Sequence, residues 1–224
     1  MLVISLGGSV IVPDKVDYIF LRKFRSIIKR YSRREKVVMV TGGGGTFRKY
    51  LKSLEKVKLD ELTIGLVGIA TTKLNARVVA GFFNKKGNIP NSINEIRQAL
   101  KKSNIVICGA LGFRTGTTTD GNAAEIAKYF KARAILNITN VNGLYDSDPR
   151  KHKSARLIPR IGFNEFYMIA RKVKYKAGQH FVLDQKAAGI IRKHRINTVI
   201  LNGHNLNNLE NFLSDKKFSG TIIG

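Results

Sequence analysis

The sequence predicts an α/β fold, with a largely parallel sheet covered by helices on both faces. Two observations carry that reading. Short apolar runs rich in Val and Ile alternate with longer stretches whose apolar residues recur at helical spacing. The runs are continuous rather than alternating, as expected of strands buried on both faces. Three of them end in glycine-rich turns: Leu6-Gly7-Gly8-Ser9, Gly42-Gly43-Gly44-Gly45, and the stretch 109–119.

The elements follow in order. Leu2–Leu6 reads as the first strand. Residues 16–31 place Val16, Ile19, Phe20, Phe24, Ile27 and Ile28 on one helical face, with Pro13 and Asp17 supplying the start. Residues 36–41 form the second strand, and 46–54 a helix with Thr46 as candidate cap. Residues 60–83 are mostly apolar and helical, weakened by Gly65, Gly68 and Gly81. A short helix over 93–100 precedes a strand over 104–108. Thr119 or Asp120 caps a helix that runs to Phe130, and Ala134–Thr139 is the next strand. Residues 141–159 are polar and turn-rich, the best candidate for a lobe boundary. Helices at 163–170 and 183–193, a strand at 198–201, a helix at Leu206–Leu213 and an edge strand at Thr221–Ile223 complete the chain. No repeat or low-complexity tract appears.

At 224 residues the chain makes one large domain or two small ones, and its apolar fraction of 43% is ordinary. No apolar run approaches the roughly 20 residues of a membrane span. The N-terminus lacks the basic segment of a signal peptide. The single cysteine, Cys108, excludes an intrachain disulfide framework and fits a reducing compartment, so a cytoplasmic location and no membrane partner are expected. Cys108 itself reads as a small buried hydrophobe.

The charge is unusual: 40 Lys and Arg against 15 Asp and Glu, a net +25. Arg22, Lys23, Arg25, Lys29, Arg30, Arg33, Arg34 and Lys36 crowd one stretch, and residues 150–176 form another. Such a field attracts polyanions. A solvated basic face is the plain reading, and non-specific nucleic-acid contact the alternative. No aromatic platform of the kind that stacks bases accompanies the first stretch.

Glycine lets backbone N–H groups approach an anion without a Cβ in the way. A helix N-terminus just beyond adds unpaired donors and partial positive charge. Three such turns in one chain point to a site holding several phosphates. Known schemes are absent: no G-x-x-x-x-G-K-[ST], no G-x-G-x-x-G opening a helix, no H-R-D, no H-E-x-x-H and no C-x-x-C.

Five motifs in this order resemble the amino acid kinase superfamily, most of all its archaeal-type uridylate (UMP) kinases. They are Leu6-Gly7-Gly8-Ser9, Thr41 to Gly44 with Arg48, the stretch 65–77 (GLVGIATTKLNAR), Thr118-Thr119-Asp120, and the stretch 139–149 from Thr139 to Pro149. The resemblance implies a three-layer α/β/α sandwich, with an acceptor lobe over about 1–133 and an ATP lobe over about 134–224. It implies ATP and a nucleoside monophosphate as substrates, Mg²⁺ accompanying the ATP, a place in pyrimidine biosynthesis, and dimer-based homo-oligomers up to hexamers.

The same resemblance assigns roles residue by residue. Gly7, Gly8, Ser9 and Gly44 would contact ATP phosphates, and Arg48 would reach phosphate with a planar guanidinium. Thr139, Tyr145 and Asp148 would touch the adenine and ribose. Gly43, Gly65, Arg114, Thr115, Gly116, Thr117, Thr118, Thr119 and Asp120 would meet the acceptor. Asp184 would organise the catalytic centre, and Lys176 would add positive charge there. The chain departs from the pattern at five places, two of them Gln185 in place of a proline and Leu111 in place of a glycine. Ser5 stands where many members carry a lysine, Gly65 where UMP kinases place an aspartate, and Asn142 in place of an aspartate in the Asn-Val-Asp-Gly turn. A kinase for another small phosphate, such as isopentenyl phosphate, and a non-catalytic nucleotide- or nucleic-acid-binding protein are the alternatives.

Overall fold

A computed structural model describes residues 1–57, 59–112, 118–147, 149, 152–172 and 183–224. Arg114, Thr115, Gly116, Thr117, Asp148 and Lys176 lie outside the described residues. A seven-stranded sheet runs in the order β3-β2-β1-β4-β6-β7-β5. Its strands are β1 (Leu2–Leu6), β2 (Val37–Thr41), β3 (Ile105–Cys108), β4 (Ala134–Thr139), β5 (Arg160–Ile161), β6 (Thr198–Asn202) and β7 (Thr221–Ile223). The first five in spatial order are mutually parallel, and β7 runs antiparallel to β6. Successive strands step outward from β1 through β2 to β3, and the chain then returns to lay β4 on the other side of β1. The sheet thus reverses its winding between β1 and β4, where ligands of open α/β sheets settle against the carboxyl ends of strands.

Helices cover both faces, because β-strands with apolar residues on both sides must bury both. On one face α2 (Tyr18–Tyr31), α4 (Glu61–Phe82) and α9 (Leu206–Leu213) bury Phe24, Ile28, Val79 and Leu209 against Ile4, Met39 and Leu136. On the other, α5 (Ile93–Lys102), α6 (Thr119–Tyr129), α7 (Phe163–Lys172) and α8 (Gln185–His194) bury Ile96, Ile126, Phe166 and Ile191 against Val3, Val38 and Ile135. The expected three-layer sandwich is what forms. α1 (Gly8–Ile11) and α3 (Gly44–Lys56) sit over the carboxyl ends of the strands and contact each other.

Several boundaries differ from expectation. Asp17 caps α2 as expected, its carboxylate accepting from Phe20 N at 2.9 Å. Thr46 does not cap α3, which starts two residues earlier at Gly44, a residue at φ +61°. The cap of α6 is Thr118, whose hydroxyl accepts from Gly121 N at 2.9 Å, so Thr119 and Asp120 lie inside the helix. Thr221–Ile223 is no edge: the two-residue β5 pairs beyond it, Arg160 opposite Ile222. Long apolar segments also need correction. α4 has 22 residues and is apolar enough to span a membrane by composition, yet Thr72, Asn75, Ala76, Val79 and Ala80 are buried in it, against the sheet side. Its outer face shows Leu62, Leu66 and Leu74 to solvent. Cys108 is fully buried, which pushes its thiol up to about 12 and leaves it inert at neutral pH.

Candidate active site

The carboxyl ends of β1, β2, β3, β4 and β6 share one edge of the sheet, so the turns after them converge there. The first two glycine turns touch backbone to backbone. A Cβ on Gly8 would come within 2.5 Å of Gly44 Cα, and one on Gly42 within 2.6 Å of Gly8 N. Hydrogen bonds lock the same contact: Gly42 N donates to Leu6 O at 2.9 Å and Gly45 N to Val12 O at 2.7 Å. The third turn is held likewise, since a Cβ on Gly109 would lie 2.8 Å from Lys73 N in α4. The glycines therefore have a packing cause as well as the phosphate-facing one read from the sequence.

The amides that remain are those a phosphate site needs. The first N–H groups of a helix have no intrahelical partner. Among the described residues, Gly8, Ser9, Gly43 and Gly44 donate to no other part of the chain. These four amides lie at the starts of α1 and α3, where the helix dipoles favour an anion. The carbonyls of the peptides that carry the Gly43 and Gly44 amides are held by Asn75 in α4, which donates through Nδ2 to Gly42 O at 2.7 Å and Gly43 O at 3.0 Å. Arg48 stands one turn into α3 and reaches Pro13 O at 3.4 Å.

A second cluster lies on the other face of the same edge. Asp120 in the first turn of α6 accepts from Ser5 Oγ at 2.6 Å and from Asn137 Nδ2 at 2.9 Å, both at Oδ1. Thr118 donates its hydroxyl to Asp184, which caps α8 by accepting from Lys186 N at 2.8 Å and Ala187 N at 3.0 Å. Burial pushes the Asp120 carboxyl up to about 7, the Asp184 charge pushing the same way while the Ser5 and Asn137 hydrogen bonds pull it down.

The remaining predicted residues are spread around this centre. Thr139 closes β4, and its carbonyl accepts from Gly203 N at 2.8 Å after β6. Asn142 in the following turn accepts from Asn202 Nδ2 at 2.9 Å. Tyr145 pairs with Leu157 in an antiparallel bridge farther out. Gly65 lies in the second turn of α4. No described hydrogen bond joins it to the glycine turns.

Sequence reasoning missed Asn75 and Asn137 and gave Ser5 no role of its own. Each carried a signal: a polar residue interrupting a buried apolar segment. Ser5 was read against a family lysine, whereas here it anchors a carboxylate. As for Mg²⁺, no group of three His, Cys, Asp or Glu side chains converges among the described residues. Asp120 and Asp184 form only a pair. That donor set suits an ion carried on phosphates and completed by water, rather than one caged by protein.

The chain is similar along its whole length to proteins of one kind. It is 33% identical to the uridylate kinase of Thermoplasma acidophilum, over 99% of this chain and 96% of that one. It is 35% identical to that of Thermoplasma volcanium, over 99% and 96%. The solved uridylate kinase of Archaeoglobus fulgidus superposes with a TM-score of 0.86 at 30% identity, covering 100% of this chain and 99% of the other. The family model described as "Amino acid kinase family" matches residues 1–202. The chain belongs to the amino acid kinase family.

Proposed function

We propose that the chain is an ATP-dependent nucleoside monophosphate kinase that converts UMP and ATP to UDP and ADP. The observation that carries this reading is the pairing of full-length similarity to uridylate kinases with unpartnered amides of Gly8, Ser9, Gly43 and Gly44 at the sheet's switch point. The γ-phosphoryl passes directly in line to an acceptor oxygen that is already ionised, so no general base and no covalent intermediate are required. Positioning and charge stabilisation do the catalysis. Gly8, Ser9 and Gly44 bind ATP phosphates from fixed N–H groups, with no reorganisation as charge develops. Gly43, Thr118, Thr119 and Asp120 take the acceptor, and Arg48 spans the two. Thr139 and Tyr145 hold the nucleoside of ATP, and Asp184 fixes Thr118. The lobes divide near residue 133, acceptor side before ATP side. Mg²⁺ carried on the ATP phosphates would supply charge neutralisation there.

The protein works as a cytoplasmic homo-oligomer. Supporting this, Leu62, Leu66, Ala70 and Leu74 form an exposed apolar stripe at four-residue spacing on α4, with Leu62 57% and Leu74 53% exposed. Exposed apolar stripes of this kind are usual at subunit contacts.

A coupled assay of ADP formation with UMP, CMP, AMP and isopentenyl phosphate tests the assignment. Turnover with UMP well above the others is expected. No turnover with any acceptor, together with salt-sensitive RNA binding, would replace it with a binding function.

A further inference from the structure

β1 and β4 lie side by side at the centre of the sheet, and Ser5 stands opposite Asn137 in their register. Side chains alternate along a strand. Ile4, Leu6, Leu136 and Ile138 enter one core layer, and Val3 and Ile135 the other. Ser5 and Asn137 therefore face α6 together, in a largely apolar layer. They are 2% and 4% exposed. Two buried polar side chains at the middle of a sheet cost stability unless each is bonded. Both donate to one atom, Asp120 Oδ1, at 2.6 and 2.9 Å. Oδ2 receives no bond from a described residue, and Asp120 lies in the first turn of α6, at the carboxyl-end edge of the sheet.

We propose that Ser5 and Asn137 are positioning residues for the phosphoryl transfer: from two adjacent strands they clamp one oxygen of Asp120 and so fix the direction in which the other meets the bound phosphates and their water. This rests on the kinase reading above. It explains a polar pair that the fold alone does not require, since two apolar residues would fill the same layer. α6 contacts β1, β2 and β4, and the carboxyl at its head bonds to residues of β1 and β4. The groups facing it are Ser5 from β1, Asn137 from β4, Thr118 at the head of its own helix through Asp184, and Asp184 at the head of α8. Of these only Asp184 carries charge among the described residues, and it opposes ionisation of Asp120. The two donors favour the ionised form, so losing either raises the pH at which Asp120 gives up its proton.

Steady-state kinetics of the full chain with ATP and UMP test the assignment in Ser5→Ala and Asn137→Leu. We expect kcat to fall about 10- to 100-fold, the scale of a small misplacement in an oriented site. KM for ATP stays at the wild-type value, and the acid limb of the kcat profile moves to higher pH. Ser5→Thr, which keeps the hydroxyl, restores kcat. Melting temperatures are measured alongside, and Ser5→Ala, a loss of one oxygen, keeps the test readable should Asn137→Leu fold poorly. A lowered melting temperature with unchanged kcat and pH profile overturns the positioning role, as does a rise in KM with kcat preserved. A wild-type chain with no turnover on UMP overturns the kinase reading beneath it, whereas an active wild type indifferent to both substitutions overturns the positioning role alone.

Discussion

The two ends of the central strands are closed by different chemistry. At the amino ends, charged and phenolic side chains do it. The Met1 amine lies 2.5 Å from Glu35, Arg133 reaches Glu35 at 3.3 Å and the Tyr31 hydroxyl at 2.8 Å, and Tyr31 donates to Glu35. Burial and the Glu35 carboxylate lift the Tyr31 hydroxyl to about 12, so it stays protonated as the hub of that network. At the carboxyl ends, backbone closes on backbone. Gly8, Gly42 and Gly44 meet with no room for a Cβ, and Asn75 takes up the carbonyls of Gly42 and Gly43. The first arrangement matches its donors with acceptors. The second holds its acceptors and leaves amides turned outward. A sheet of ordinary parallel strands thus has a sealed end and a receptive one, and the receptive end is where the winding reverses.

The sharpest way to break the comparison is to put a side chain into the receptive end. Gly44→Ala places a Cβ against the Gly8 backbone and forces φ +61° on a residue that resists it. Both turns must shift, so kcat/KM should fall by more than about 100-fold, with a clear drop in melting temperature. Full activity in this variant would mean that the contact between the turns has no part in the site. Asn75→Leu comes next. It leaves the buried Gly42 carbonyl without its donor and takes one of two donors from Gly43, which also accepts from Phe47 N, and should cost about 1–3 kcal/mol of stability by denaturant unfolding. KM for nucleotide should rise, because the opposite face of the same peptides carries the phosphate-facing amides.

Legibility in the sequence followed the same division. β1, β2, β3 and β4 were readable because each is a short apolar run stopped by a turn, and a buried parallel strand has little other signature. β5 was not, since two residues, Arg160 and Ile161, have no period. Its pairing is what turns β7 from an edge strand into an inner one. α1 was hidden in the same way, being four residues long inside a glycine turn. In the site, the glycine runs stood out by composition. The reason for them, contact between two turns 36 positions apart in sequence, is a tertiary fact that propensity does not contain. Ser5 and Asn137 illustrate the limit. Asn137 was passed over and Ser5 was read only against a lysine, and the register that sets them opposite each other gives the pair a meaning.

Asp120→Asn sharpens the comparison from the receptive side. The wild-type carboxyl is raised to about 7 from an ordinary 3.8, so between those values the folded protein holds a proton that the unfolded chain has lost. Wild-type stability therefore declines as pH rises from about 4 to about 7 on this account, and the decline ends there. Asparagine keeps an oxygen for Ser5 and Asn137 and does not ionise. The variant should melt above wild type at pH 8, with the gain shrinking towards pH 4, while its kinase activity falls. A gain that does not vary with pH would argue against a carboxyl raised in this way.

The smallest expected effect lies at the sealed end. Burial alone would raise the Glu35 carboxyl, but hydrogen bonds from the Met1 amine and Tyr31, with the Arg133 charge, hold it below its ordinary 4.5. A carboxyl lowered on folding contributes stability above its unfolded value and loses that contribution as pH falls through its folded one. Glu35→Gln should therefore cost about 1 kcal/mol at neutral pH, as expected for a partly exposed ion pair. That difference from wild type should close below pH about 4, once the wild-type carboxyl is itself protonated. Because the amides that take phosphate lie at the opposite end of the strands, kcat and KM should not move. A change in either, measured where the variant is still fully folded, would mean that the two ends are coupled through β1, which joins Met1 directly to the first glycine turn.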